Sequence, residues 1–555
     1  MRPYLVTPEI IDAYLDAGHW SRETMVDRYR EYAVDYPDRI ACSDSVEAYS
    51  WSDLDAATER VAAHFIDLDL ARDSTALIQI PSSCREVVLR VGLKKAGIIG
   101  VFAPLQWRRK ELGYVWEHIN PGLIGMPGDL VEPDVVHWLD ETMTAESGRR
   151  HRLDMAQGSL EGCLGEGWLG WRDLLDRLPG DRALEQLGDR QFRFDEISLV
   201  TASSGTSGLA KLCEWPEGAQ QCNSRALRDR MEITGDDNVG IFAPMSGAAG
   251  LMMWMVSSVV PCTSIFPDSY RATNLLDLVE NSGITVGTTV PVILARLEQE
   301  PLETRDLQSL RLMRVGTAAT DMTVAVSFEE RSGCHVIVAS GSMECTGFGH
   351  ASIHEPKDIR LDGSVGLPLK GCRLRIEDEG GNALPAGTAG ELKVTAPFSS
   401  SGYWNDPEAT AAVWSEGWYS TGDIGVLDES GRLTLLGRLK ETINRSGHKI
   451  LPAELEQEIA RHPDIVECAV VAAPDPEYGQ VPWAFVQVRV GCVFDPTALV
   501  ETLRRNGLAS YKIPTRLIEV TEFPRISDNK IDKKDLLRME QSAYARRLQP
   551  GFSLH

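Results

Sequence analysis

An α/β fold with covered sheets, followed by a smaller α+β module, is what the sequence predicts, and three observations carry that expectation. Short apolar runs recur between helical or turn-rich segments: "ALIQI" (76–80), "ISLV" (197–200), "ITVGTTV" (284–290) and "CHVIVAS" (334–340). Each has the length of a buried strand, and their alternation with helical segments places helices over a mostly parallel sheet. The chain has 555 residues, more than one core accommodates, so at least two domains are expected. Glycine and proline then become dense from 363 to 437 in strings such as "GGNALPAGTAGEL" and "DESGRLTLLGRLK", spaced like antiparallel hairpins.

The elements follow in order. "LMMWMVSSVVPCTSIF" (251–266) is the most apolar stretch, but Ser257, Ser258 and Pro261 interrupt it, so it reads as a buried helix and strand rather than a membrane span. After Lys440 the pattern resets. "PAELEQEIARHPDI" (452–465) and "DPTALVETLRRNG" have helical periodicity, whereas "VECAVVAAPD" and "WAFVQVRV" read as strands, which makes a compact α+β module of about 100 residues. The expected division is residues 1–438, with an antiparallel subdomain at about 360–437, and residues 439–555.

Net charge and cysteine usage exclude several classes. A formal charge of −25 leaves no basic stripe for nucleic acid and disfavours an anionic membrane surface, so any polyanionic ligand must be held by loops and a few placed cations. The eleven cysteines show no C-x-x-C pair and no zinc spacing. Free thiols in a reducing cytoplasm are expected. The N-terminal segment carries Glu9, Asp12 and Asp16 and has no apolar signal region, in keeping with a cytoplasmic protein.

"TASSGTSGLAK" (201–211) is the first candidate for chemistry. Gly205 and Gly208 allow backbone N–H groups to turn inward, Ser203, Ser204, Thr206 and Ser207 add hydroxyls, and Lys211 adds a point charge. The spacing is not G-x-x-x-x-G-K-[ST], so from these residues alone a phosphate loop and a flexible surface turn both remain open.

Further strings decide between them: "GSVGLPL" (363–369), "GEL" (390–392), "SGYWNDPEAT" (401–410), "GWYSTGDIG" (417–425), "GRLKETINRSGHKILPAELE" (437–456) and "ISDNKIDKKDL" (526–536). In order and spacing they resemble the acyl-adenylate-forming superfamily from about residue 20 to 540. "VFAPLQWRRKEL" (101–112) and the "KLC" that follows the loop lean towards the aryl-acid–AMP ligase branch of a family that also contains acyl-CoA synthetases. The resemblance implies a large N-terminal domain of two covered α/β sheets with a small β-barrel-like subdomain, then a small mobile α+β domain hinged at Lys440. It implies ATP or an acyl-AMP, Mg²⁺ and CoA as cofactors, and a small carboxylic acid as substrate.

Carried over residue by residue, the resemblance makes Lys530 the cation between carboxylate and α-phosphate and Glu344 the Mg²⁺ ligand. Ser203 to Gly208 and Lys211 become the phosphate loop, Asp423 the reader of the ribose hydroxyls, Arg438 a ribose or phosphate contact, and Gly316 the surface under the adenine. Gly447 falls in the thiol tunnel, and Tyr478 is placed to stack on the CoA adenine. The family's Y-G-x-T-E is altered to "SGSME": Ser340 replaces the aromatic ring, Met343 the small residue, and Val338 stands where an amide is usual. Each missing adenine contact is worth about 1 kcal/mol.

In the acid pocket Gly247 and Ala248 replace a ring and an asparagine, and with Met245, Met252, Met253 and Trp254 they suggest an apolar cavity for a bulky acid. The expected function is an acyl-CoA ligase whose adenylation half is weakened. The alternatives are an enzyme that only converts a preformed acyl-AMP and CoA to a thioester, a ligase that loads a carrier protein, and a non-catalytic acyl or nucleotide binder. Partners are small molecules, with room for a separate adenylating enzyme and for a homodimer, and without nucleic acid or membrane.

Overall fold

A computed structural model describes residues 3–128, 130, 133–145, 150–156, 167–176, 179–203, 210–446, 448–525 and 531–547. The fold is the mixed α/β architecture expected, in two compact units that do not follow chain order. The first comprises Met1–Leu374, Val394–Ser420 and Gly431–Leu433, and the second Arg375–Lys393, Thr421–Ser430 and Thr434–His555. Lys440 lies inside the second unit, exposed on the single 3-10 turn Leu439–Glu441.

Two sheets build the first unit. One runs Trp168–Gly170, His151–Asp154, Leu123–Met126, Thr75–Gln79, Ile99–Ala103, Ile197–Ser203, Lys211–Pro216, parallel except for its last pair. Its central strands are buried on both faces, which explains why their sequences are continuous apolar runs rather than alternating ones. The other has eight strands, with Asn238–Ile241, Val286–Thr289, Leu312–Val315 and His335–Ser340 parallel at its centre. Helices Ala272–Ser282, Pro291–Glu298 and Met322–Ser332 cover one face of it through Leu275, Leu294, Phe328 and their neighbours. The stretch 251–266 is buried, as helix Ala248–Met255 and strand Thr263–Ile265.

Helix Cys84–Ala96 is wholly buried although it carries five charged side chains. Their charges are matched inside: Arg90 pairs with Glu86 at 2.6 Å, Lys95 with Asp55 at 2.5 Å, and Lys94 with Glu217 while also donating to Ser198 and Gln220 at 2.8 Å each. Buried ions are costly without such partners.

The second unit centres on the long antiparallel pair Ile465–Asp475 and Gly479–Val488, with Arg516–Glu519 added in parallel. Helices Pro452–Ala460 and Pro496–Arg505 seal it through Leu455, Ile459, Leu499 and Leu503. Both begin with proline, whose missing N–H is unused in a first turn, and Asp495 caps the second. The glycine-rich segment forms strands as expected: Arg373–Glu377, Gly390–Thr395, Trp418–Leu427 and Leu433–Arg438. Every described cysteine is free, and among the described residues no helix is long and apolar enough to cross a membrane.

Strand Lys211–Pro216 is tied to the 401–404 segment by backbone bonds from Glu214 N–H to Gly402 and from Ser401 N–H to Glu214. The Glu214 carboxylate accepts from Tyr4 N–H and the Ser401 hydroxyl, both at 3.1 Å, yet burial pushes its pKa up from 4.5 to about 7. A carboxyl that holds its proton more tightly when folded stabilises the fold below about 4.5, and that contribution is lost as pH rises to about 7. Glu214→Gln is therefore expected to melt above the parent at about pH 8 and to remove a decline on the order of 3 kcal/mol between those pH values, followed by thermal unfolding across the range.

Candidate active site

The expected phosphate loop closes a β-hairpin. The strand starting at Ile197 runs on to Ser203, and Ser203 pairs in register with Lys211 across the turn. The first three residues of "TASSGTSGLAK" are thus strand, because antiparallel pairing with Lys211–Pro216 satisfies their backbone. Ser204, Gly205, Thr206, Ser207 and Gly208 lie outside the described residues, as do Gly447 and Lys530.

At the base of this hairpin three side chains meet. Lys211 Nζ lies 4.5 Å above the Tyr403 ring and 3.5 Å from its hydroxyl. Tyr403 donates that hydroxyl to Glu344 Oε1 at 2.9 Å. Burial, reinforced by the Glu344 charge, pushes the phenol well above its ordinary pKa, so it stays protonated and keeps donating. Both Tyr403 and Glu344 are buried, and the Glu344 backbone is fixed by Ser400 N–H at 2.8 Å and by its own N–H to Ser342 Oγ at 3.2 Å. Trp414 packs edge-on against the Tyr403 ring at 5.1 Å. Sequence reasoning quoted Tyr403 within "SGYWNDPEAT" but gave it no role; its signal was a large aromatic next to glycine, which reads equally as packing.

Glu344 suits a magnesium ion that arrives with phosphates. Among the described residues no cluster of three acidic, histidine or cysteine side chains forms a protein cage. Magnesium on a nucleotide needs only one or two carboxylates, since phosphate oxygens and water complete its octahedron, and one oxygen of Glu344 already has its donor.

Gly316 follows strand Leu312–Val315, and a Cβ there would sit 2.8 Å from the Ala339 carbonyl oxygen. Its missing side chain is thus required by the neighbouring strand. Ser340 ends that neighbour, His335–Ser340, and Val338 on it points into the apolar core with Met313 and Phe328.

In the second unit Asp423 and Arg438 come together. Arg438 Nε lies 2.8 Å from Asp423 Oδ1, and its Nη1 donates to the Thr421 carbonyl at 3.2 Å. Tyr478 is 37% exposed, with the Arg445 guanidinium 4.7 Å over its ring, which leaves an aromatic surface at the tip of that unit's hairpin.

The residues expected at the acid pocket differ in their exposure. Gly247 and Ala248 are half-buried at the start of helix Ala248–Met255, but Met245 and Trp254 are packed inside. Met245 is pinned at both ends of its peptide, its N–H donating to Ser82 Oγ at 2.8 Å and its carbonyl accepting from Arg90 at 3.0 Å. The space beside Trp254, shared with Arg90 and Phe102, is about 10 Å³, too small for an acid substrate.

Comparison with known proteins identifies the family. AMP-binding enzyme matches residues 29–404, and AMP-binding enzyme C-terminal domain matches residues 454–530. The chain belongs to the AMP-binding enzyme family. It is similar to the indoleacetate–CoA ligase of Aromatoleum aromaticum, 31% identical over 67% of this chain and 72% of that one. It is also similar to the 2-hydroxy-7-methoxy-5-methyl-1-naphthoate–CoA ligase of Streptomyces carzinostaticus, 27% identical over 95% of each. ATP-bound MatB from Rhodopseudomonas palustris shares the fold, with a TM-score of 0.82 at 24% identity, over 94% of this chain and all of that chain. The family is the acyl-adenylate-forming one that the motifs resemble, in its acyl- and aryl-CoA ligase branch.

Tyr403→Phe keeps the ring between Lys211 and Trp414 and removes the hydroxyl's bond to Glu344 together with its long 3.5 Å contact with Lys211. A stability loss of about 1 kcal/mol is expected in chemical denaturation, with a rise in the Mg²⁺ concentration needed for half-maximal ATP–pyrophosphate exchange. An unchanged Mg²⁺ requirement would mean that the hydroxyl does not position Glu344.

Proposed function

We propose that this protein is an acid–thiol ligase, which activates a carboxylic acid as its acyl-adenylate and passes the acyl group to coenzyme A. The observation that carries this reading is the meeting of Lys211, Tyr403 and buried Glu344 at the base of the Ser203–Lys211 hairpin. In the first step a carboxylate oxygen attacks the α-phosphorus of ATP, the bond to the β-phosphate oxygen breaks, and pyrophosphate leaves. In the second the thiolate attacks the acyl carbon, a C–S bond forms, and AMP leaves with the electrons of the C–O bond.

The anionic attack on an anionic phosphate is the electrostatic problem, and fixed cations are its answer. Lys211 and the loop from Ser203 to Gly208 hold the phosphates, and Lys530 bridges carboxylate and α-phosphate. Glu344 holds Mg²⁺, which when bound neutralises phosphate charge. Gly316 backs the adenine and Asp423, oriented by Arg438, accepts from the ribose hydroxyls. Lys440 is the hinge, Gly447 lines the thiol's path, and Tyr478 stacks on the CoA adenine. The CoA-ligase names of both relatives support coenzyme A as the acceptor.

One observation favours a second reading, in which the enzyme works mainly from a preformed acyl-adenylate. Val338 is committed to the apolar core and Ser340 offers no ring, so two adenine contacts are replaced by none of the same kind. At about 1 kcal/mol each, they correspond to ~30-fold in ATP use.

Two incubations separate the readings: acid with ATP and CoA, and synthetic acyl-adenylate with CoA. The second is expected to run at least ~10-fold faster; equal rates would leave only the complete two-step ligase. In the same assays Lys530→Ala should lower the ATP-dependent route by ~100-fold or more and spare thioester formation from acyl-adenylate. Equal loss in both would show that Lys530 does not serve the first step.

A further inference from the structure

Arg314 is the anomaly of the first unit. It lies in the middle of strand Leu312–Val315, where its neighbours Met313 and Val315 point into the apolar core, so alternation turns Arg314 to the opposite face. It is 8% exposed, and its only hydrogen bond among the described residues runs from Nη1 to Thr288 Oγ1 at 3.3 Å. Its Nε has no partner, and no described carboxylate pairs with it. Elsewhere in this unit the rule is the reverse: buried Arg85, Arg90, Lys94, Lys95 and Arg360 each have a carboxylate.

The surroundings are prepared for a polar guest. His350 is fully buried with neither ring nitrogen partnered among the described residues, and burial together with the charges of Arg314 and Arg230 holds it well below its ordinary pKa, as a neutral ring. Helix Glu217–Met231 presents Arg230 to the His350 carbonyl at 2.6 Å and, two turns earlier, Asn223 to Thr346 at 2.6 Å, with Asn223 Oδ1 left unpartnered. Burial alone lowers the Arg314 pKa to about 10, so the guanidinium is still charged at neutral pH. An unpaired internal cation is costly unless something absent from the free protein completes it.

Position indicates what that is. In parallel sheets ligands sit beyond the carboxyl ends of the strands, and Gly316 lies just past such an end. Arg314 is two residues back on the same face, roughly 7 Å deeper into the molecule. The reacting carboxyl must stay with the α-phosphate at the outer level, so Arg314 meets the far end of the acid.

We propose that Arg314 is a specificity-determining residue that receives a second anionic oxygen group, a carboxylate or an acidic phenolate, on the acid substrate roughly 7 Å or more from the carboxyl that is activated. This rests on the ligase reading above and narrows its substrate class from a plain apolar acid to an acid charged at both ends.

The test pairs acids that differ only at the far end: 2-naphthoate with naphthalene-2,6-dicarboxylate, and octanoate with suberate. Binding to the full-length protein is measured by calorimetry, and turnover by thioester formation with ATP and CoA. The unaltered protein should prefer each diacid by ~30-fold or more, expressed mainly in Kd and KM. Arg314→Met should collapse that ratio to about one, and Arg314→Lys should restore part of it. Because the parent's own preference is measured first, a variant that fails to fold does not remove the test. Preference for the monoacids by the parent, no binding of either diacid, or a diacid preference that survives Arg314→Met overturns the proposal and leaves the ligase reading intact if monoacids are turned over. Arg314-dependent diacid binding without any turnover upholds the proposal and overturns the ligase reading.

Discussion

The management of negative charge around the hairpin from Ser203 to Lys211 is the constraint on which the rest depends. A chain with net charge −25 can hold a polyphosphate only where its own carboxylates are withdrawn or occupied. Two carboxylates beside strand Lys211–Pro216 are dealt with. Glu214, at the hairpin's inner strand, is pushed by burial to a pKa of about 7 and so carries only part of a charge at neutral pH. Glu344 is held by the Tyr403 hydroxyl, and Lys211 lies over the same tyrosine ring with no described carboxylate to neutralise it.

The same accounting links packing to chemistry elsewhere in the first unit. The charged helix Cys84–Ala96 balances its own ions, and through Arg90 it fixes the Met245 carbonyl ahead of Gly247 and Ala248. The sheet face carrying Arg314 does not balance. Among the described residues six buried cations, Arg85, Arg90, Lys94, Lys95, Arg360 and Arg432, each have a carboxylate, and the seventh, Arg314, has none.

Much of the fold was legible in the sequence because buried strands are short apolar runs with turn residues on both sides. "ITVGTTV" and "CHVIVAS" became Val286–Thr289 and His335–Ser340, and the helices after Lys440 start at the prolines that mark them. The site was legible only where a motif is local. Asp423 and Arg438, fifteen residues apart on separate strands, meet as an ion pair. Tyr403 was missed because its partner Glu344 is 59 residues away and nothing periodic connects them. Met245 and Trp254 are ambiguous in the sequence because an apolar cluster has the same composition in a pocket and in a core; in the fold Arg90 lies over both Phe102 and Trp254. Arg314 was hidden within "LRLMRVGT", since a single arginine in a short strand reads as an exposed edge until its alternation relative to Met313 and Val315 is known.

The central claim is that the Ser203–Lys211 hairpin, Glu344 and Gly316 together form a nucleotide site. It is tested most directly by a crystal structure of the protein with Mg²⁺ and a non-hydrolysable ATP analogue. The account predicts the phosphates within the hairpin turn, the metal on Glu344, and the adenine against Gly316. Phosphates bound away from residues 203–211, or a metal with no bond to Glu344, would contradict it.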